Sequence, residues 1–202
     1  MTLWLAEAPL LLASKSAVRR ALLQAAGIAV ETAAAGIDER AIEARAGLSD
    51  PGAVAMLLAR EKAGAVSHNH PGRVVLGADQ TLALGARRFS KAADRAGARE
   101  QLAALRGKTH TLHSAVAVIR GGEVLFELVE AARLTMREFS DGFLESYLDA
   151  AGDAATASVG GYQLEGIGVQ LFERVEGDHS TILGLPLLPL LGWLRGARLL
   201  AA

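Results

Sequence analysis

Apolar and polar positions fall into blocks from the start of the chain. Leu10–Ala13 is an uninterrupted apolar run of strand length, cut by Ser14-Lys15-Ser16 and followed by a stretch that places Val18, Leu22 and Leu23 on one helical face. Gly27 closes that stretch as the residue that accepts a left-handed conformation after a helix. The order strand, Ser-rich turn, helix aims free backbone N–H groups at the space above the strand, where phosphate is the natural guest. Arg19 and Arg20 lie early in the helix and oppose its dipole unless an anion is near. An ordinary N-capped helix with two solvated arginines satisfies the same pattern.

Further along, Ile28–Ala33 reads as a short strand, and Asp50-Pro51 starts a helix that should run to about Ser67. A polar loop over Ser67–Gly72 follows, then a buried strand Val74–Leu76 that is expected to end at Gly77, with Asp79 just beyond it. A carboxylate past a strand end is where open α/β sheets bind ligands. Leu82–Phe89 reads as a continuation with a Gly turn, and a helix is predicted from Asp94 to Leu105. His110–Ile119 alternates as a strand, Gly121-Gly122 makes a hairpin, and Glu123–Met136 returns as a long strand. Ser140-Asp141 caps a helix to about Ala150, Gly160–Gly168 is a Gly-rich loop, Val169–Val175 a strand and Leu187–Leu194 a closing helix. Alternating helices and strands with one clear hairpin give a mixed-sheet α/β class.

Composition narrows the picture. With 202 residues there is material for one substantial core, or one core in two lobes. Aromatic residues are only 4%, so that core is built mainly from Ala, Leu and Val. A formal net charge of −1 supplies no field to recruit nucleic acid or an anionic membrane, so an anionic ligand must meet a local cluster of Lys and Arg. With no cysteine, disulfides and Cys-ligated metals are excluded. The N-terminus lacks a basic region of the signal-peptide kind, and Ile182–Leu194 is short and interrupted by Pro186 and Pro189; a cytoplasmic location and no membrane partner are expected.

Four separated stretches resemble the Maf family: Leu12-Ala13-Ser14-Lys15-Ser16-Ala17-Val18-Arg19-Arg20, Gly77-Ala78-Asp79-Gln80, Leu105-Arg106-Gly107-Lys108-Thr109-His110, and Glu176-Gly177-Asp178 followed by Gly184-Leu185-Pro186. The resemblance spans nearly the whole chain. It implies one Maf-like domain over residues 1–202 with the inosine-triphosphatase-like α/β architecture: a long, twisted mixed sheet flanked by helices, in two lobes around a central cleft. It also implies hydrolysis of a nucleoside triphosphate to monophosphate and pyrophosphate, a divalent cation (Mg²⁺, or Mn²⁺ or Co²⁺), and a homodimer. Carried over residue by residue, Ser14, Arg19, Lys62 and Lys91 meet the substrate phosphates, Glu39 and Asp79 the metal, and Asp79 accepts the proton.

This assignment suits the chemistry. Splitting a phosphoanhydride requires neutralised phosphate oxygens and an activated water, which cations and carboxylates supply. A neighbouring dication would keep Asp79 ionised. Read without the resemblance, Lys62 pairs with a Glu on a solvated helix face and Lys91 is a loop charge.

The chain departs from the family where the base is expected to be read, at Val18, Gln80 and Glu165. A carboxylate accepts two parallel hydrogen bonds, and guanine offers N1–H and N2–H₂; uracil and thymine offer one N–H between two carbonyls, which suits an amide. Glu165 therefore points to a guanine-type substrate and to the branch of the family that prefers 7-methyl-GTP, although Val18 replaces the Trp that stacks on the methylated base there. A dTTP/UTP or ITP preference, or a poorly active nucleotide-binding regulator of septum formation, are the rival readings. The histidines point elsewhere than metal: His68 and His70 lie in a polar stretch, and His110 and His113, three apart on a strand, face opposite sides of the sheet.

Overall fold

In the computed structural model, which describes residues 3–202, the helices begin where polar caps precede apolar spacing. The Ser16 hydroxyl accepts from the Arg19 amide, Asp50 from Ala53, Asp94 from Gly97 and Ser140 from Phe143, each satisfying a donor the helix leaves unpaired. The elements run β1 Leu10–Leu12, α1 Ala17–Ala25, β2 Val30–Thr32, α2 Glu39–Ala46, α3 Pro51–Asn69, β3 Val75–Leu84 and β4 Arg87–Phe89. They continue with α4 Arg95–Leu105, β5 Thr109–Arg120, β6 Glu123–Met136, α5 Asp141–Ala151, α6 Ala154–Ala157, β7 Phe172–Glu176, α7 His179–Ile182 and α8 Leu187–Gly196, with a 3-10 turn over Ile167–Leu171 before β7.

Seven strands form one mixed sheet in the order β2-β1-β3-β5-β6-β7, with β4 paired to β3. β1 runs parallel to β2 and β3, while the β3–β4 and β6–β7 pairs are antiparallel. This is the mixed α/β class expected. None of the helices among the described residues is long and apolar enough to cross a membrane.

The chain divides into two compact units, neither continuous in sequence. The first comprises the residues up to Gln80, His113–Glu130 and Asp178 onward; the second comprises Thr81–Leu112 and Ala131–Gly177. In the first unit, strand alternation sorts side chains cleanly between the two faces of the sheet. Leu10, Leu12, Leu76, Ala78, Val116 and Val118 share a core with α1 and α8, whereas Leu11, Ala13 and Val75 on one side and Ala115 and Ala117 on the other meet α3 from the opposite face. That second face is made of small residues. A Cβ placed on Gly77 would lie 2.0 Å from the Ala59 carbonyl oxygen, so the α3 backbone rests directly against β3.

The second unit has its own core, in which Leu82, Leu102, Leu105, Leu134, Met136, Leu144, Leu148 and Leu171 are buried. The Gly160-Gly161 loop is pressed onto it: a Cβ on Gly161 would approach Leu102 to 3.1 Å, and the Tyr147 hydroxyl donates to the Gly161 carbonyl at 3.0 Å. Buried His110 packs against Tyr162 and Phe172, with ring centroids 5.6 and 6.0 Å away, and its Nε2 is 2.7 Å from the Tyr162 hydroxyl.

Several sequence expectations change. The helix from Pro51 takes in His68 and Asn69, which were expected in a loop. The strand expected over Val169–Val175 begins only at Phe172, because Ile167–Leu171 coils into the 3-10 turn. α2 was not expected, although Asp38 at its N-cap and Gly47 at its left-handed end are ordinary helix signals. The expectation that β3 stops at Gly77 is overturned: it runs ten residues to Leu84, and Asp79 sits within it.

Candidate active site

The position of Asp79 is set by unequal strand lengths. β1 is three residues long, ended by the turn at Ser14, and its register with β3 covers only Leu11↔Val75 and Leu12↔Leu76. β3 then continues past its short parallel neighbour, so Asp79 lies beyond the carboxyl end of β1 while still in extended backbone. Crevices past the carboxyl ends of parallel strands are where α/β sheets bind ligands. Asp79 is therefore in the position the sequence suggested, although the strand does not end before it.

Asp79 and Gln80 alternate across the sheet. Asp79 faces α3, where Lys62 reaches it: Nζ donates to Asp79 Oδ1 at 2.6 Å and lies 2.9 Å from Glu39 Oε1, the first residue of α2. Lys62 and Asp79 side chains are only 12% and 11% exposed, while Glu39 is 47% exposed. Lys62 is thus a nearly buried ammonium bridging two carboxylates, and the surface-pair reading does not hold. The close seat of α3 on Gly77, two residues before Asp79, brings the two within reach.

Burial pushes the Asp79 carboxyl above its ordinary range, and Glu39 adds to that rise, against the pull of Lys62 and Arg19. Burial likewise lowers the Arg19 guanidinium, with Asp79 and Glu39 opposing. Two acids and two bases thus form a charge-balanced set at the end of β1.

Arg19 is held firmly. Nε donates to the Gly184 carbonyl at 2.8 Å, and Nη1 to the Ala78 carbonyl at 2.9 Å and to Ser14 Oγ at 3.4 Å. Gly184 has φ +90°, and a Cβ there would come within 3.2 Å of the guanidinium. Ser14 Oγ also accepts from the Ser16 amide at 3.2 Å, which shapes the turn into α1. Val18 is half-buried in the first turn of α1.

Gln80, expected at the base, points to the other face of the sheet. Its Nε2 lies 2.8 Å from Ser114 Oγ, 3.1 Å from the Thr181 carbonyl and 3.0 Å from that of Ile182. Neither Ser114 nor Thr181 was singled out by sequence, and nothing local marks them. Lys91 and Glu165 belong to the second unit; both are exposed, Lys91 bridged to Val159 and Glu165 in the turn that follows the Gly160-Gly161 loop. The structure brings Ser14, Arg19, Glu39, Lys62 and Asp79 together within the first unit.

No group of three or more His, Asp or Glu side chains able to hold a metal occurs among the described residues. Asp79 and Glu39 are two oxygen donors converging on one ammonium. That donor set fits a hard cation that takes one or two carboxylates and draws its other ligands from phosphate and water.

A family profile described as "Maf-like protein" matches residues 9–197. A nucleoside triphosphate pyrophosphatase of Rhodopseudomonas palustris (strain BisB5) is 62% identical over 200 residues, covering 99% of each chain. That of strain HaA2 is 60% identical over the full length of both. A protein of Brucella abortus named 7-methyl-GTP pyrophosphatase is 53% identical over 190 residues, 92% of this chain and 94% of its own.

Proposed function

The chain belongs to the family of Maf-like proteins, and on that premise we propose that it hydrolyses the α–β phosphoanhydride of nucleoside triphosphates to monophosphate and pyrophosphate. The observation that carries the reading is the Lys62 ammonium set between Asp79 and Glu39 just beyond the end of β1. The relatives named as nucleoside triphosphate pyrophosphatases support it.

In this reading the triphosphate meets Ser14, the free amides opening α1, Lys62 and the N–H groups of Arg19 left over from its two carbonyl bonds. The family resemblance adds Lys91. Asp79 accepts the proton of the attacking water: the water oxygen bonds to the α-phosphorus, the bridging P–O bond breaks, and pyrophosphate leaves with the bond electrons. Lys62 holds the Asp79 carboxylate in place through Oδ1. Asp79 and Glu39 would hold a divalent cation, which when bound supplies neutralisation of the phosphate oxygens.

For the base, Glu165 supports a guanine-type substrate, because its carboxylate matches the paired donors of that ring. The Brucella abortus relative, named for 7-methyl-GTP, lends the same direction. Val18 offers no aromatic face, so a methylated base gains nothing there from stacking.

The test is pyrophosphate release with Mg²⁺ or Mn²⁺ from GTP, 7-methyl-GTP, ITP, UTP, dTTP and CTP. Wild type should release pyrophosphate and Asp79→Asn should lose it by roughly 100-fold or more, the contribution of a general base. Glu165→Gln should shift the GTP-to-UTP preference toward UTP; an unchanged ratio refutes the guanine reading. Nucleotide binding without turnover of any member of the panel would favour the regulatory reading.

A further inference from the structure

We propose that Gln101 is a positioning residue for Lys91: its carboxamide ties the segment that carries this lysine to the Gly160-Gly161 loop. The inference rests on the pyrophosphatase reading, in which Lys91 meets the triphosphate, and deepens it. Lys91 lies just past the end of β4 and makes an isolated antiparallel bridge to Val159. In the register of that bridge Ser90 stands opposite Gly160. The Gln101 side chain, reaching out from α4, spans this next rung. Its Nε2 donates to the Ser90 carbonyl at 2.7 Å, and its Oε1 accepts from the Gly160 amide at 3.1 Å. A carbonyl only accepts and a backbone N–H only donates, so the partners assign both ends of the amide. One side-chain amide thus completes a ladder that the backbone leaves at a single bridge.

The loop is a fixed support. Gly160 and Gly161 are buried, with φ +86° and +80°. A Cβ on Gly160 would lie 2.6 Å from Leu82 Cδ1, and one on Gly161 would lie 3.1 Å from Cγ of Leu102, the neighbour of Gln101 on α4. The Tyr147 hydroxyl holds the Gly161 carbonyl, and the Tyr162 hydroxyl rests on His110. Lys91 is exposed, and its flexible four-carbon stem leaves the ammonium free to swing. Where that ammonium can reach is therefore set by where its backbone is held: by the bridge to Val159 and, through Ser90, by Gln101. All of these residues belong to the second unit, and Gln101 lies outside the four stretches that carry the family resemblance. The same loop runs on to Glu165, so one clamp joins the phosphate-binding lysine to the segment that bears the base-reading carboxylate.

Gln101→Met keeps the length of the side chain and removes both bonds. Its effect is read in a double-mutant cycle with Lys91→Ala, on kcat/KM for the best nucleotide of the panel. With Lys91 present, Gln101→Met should lower kcat/KM by roughly 10-fold, the cost of misplacing a substrate-binding group. With Lys91 already Ala, the same change should cost less than about twofold. A merely structural role predicts equal losses in both backgrounds, and that result overturns the inference. A second readout needs no turnover. The chain has no cysteine, so Lys91→Cys takes a single nitroxide label. Its electron paramagnetic resonance spectrum should sharpen when Gln101→Met is added, as the segment gains motion; an unchanged spectrum also overturns the inference. If Gln101→Met does not fold, Gln101→Glu replaces it in both measurements, since it keeps an oxygen for the Gly160 amide and loses the donor to Ser90. Wild type without turnover of any nucleotide would sink the pyrophosphatase reading, and the positioning role with it. Failure of the cycle or of the spectrum in an active enzyme would sink the positioning role alone.

Discussion

Gly77→Ala is the substitution through which the close seat of α3 on the sheet can be measured. The added Cβ would lie 2.0 Å from the Ala59 carbonyl oxygen and 2.9 Å from both the Cβ and the amide nitrogen of Ala63. An ordinary carbon–oxygen contact is longer by roughly 1 Å or more, comparable with the 3.5–4.0 Å optimum between carbons. The obstructing atoms include backbone of a helix, so no rotamer change relieves them: α3 must retreat, or β3 must bend.

Overpacking of this kind costs about 1–3 kcal/mol, and the upper end applies where backbone is struck; the smaller entropy of an unfolded Ala returns only about 0.4–1 kcal/mol. For a chain of this size each kcal/mol moves the midpoint by roughly 2–4 °C, so a fall of about 4–10 °C is expected. Lys62 rides on the same helix between Ala59 and Ala63. A retreat of about 1 Å would stretch its 2.6 Å bond to Asp79 past hydrogen-bonding range unless its side chain extends. Activity should therefore fall together with stability.

The assay is thermal and urea unfolding beside pyrophosphate release. Gly64→Ala is the control: it sits on the same helix with nothing within 4 Å of its added Cβ, and should raise stability by about 0.8–1 kcal/mol through helix propensity alone. A Gly77→Ala protein with the midpoint and turnover of wild type would refute the packing account of how Lys62 reaches Asp79.

Other consequences follow from single sites. His110 is buried with Nδ1 unpartnered, and burial lowers its pKa from 6.5 to about 4. The unfolded chain therefore takes up the proton first, and stability fully present above pH 6.5 should be lost as pH falls toward 4, by about 3 kcal/mol from this group. Urea unfolding between pH 7 and 4 should show that slope in wild type and a shallower one in His110→Gln; equal slopes would rule it out. Gly184→Ala should cost about 1–3 kcal/mol, because φ +90° disfavours any side chain and the Cβ would crowd the Arg19 guanidinium. It should also raise KM for the triphosphate, and a variant with wild-type stability and KM would count against the Arg19 clamp.

Local chemistry determined much of this protein. The caps at Ser16, Asp50, Asp94 and Ser140, the hairpin at Gly121-Gly122 and the long strands on either side of it follow from a few neighbouring residues, because a cap or a tight turn is satisfied within one turn of chain. The same holds for the strand, Ser-rich turn and helix that open the fold. Partnership across the chain was decided elsewhere. Gly77-Ala78-Asp79-Gln80 reads as a strand end by composition, yet pairing of β3 with β5 in the sheet, and of Leu82–Leu84 with β4, carries the strand on to Leu84. Lys62, Asp79 and Glu39 carry no mark of their pairing: 17 residues separate Lys62 from Asp79, and only the seating of an Ala-lined helix on a glycine brings them to 2.6 Å. Gln80 shows the same limit, since its partner Thr181 lies 101 residues away. A side chain's residue type limits what it can bond to, but which partner it meets is set by the packing of elements brought together only in the folded chain.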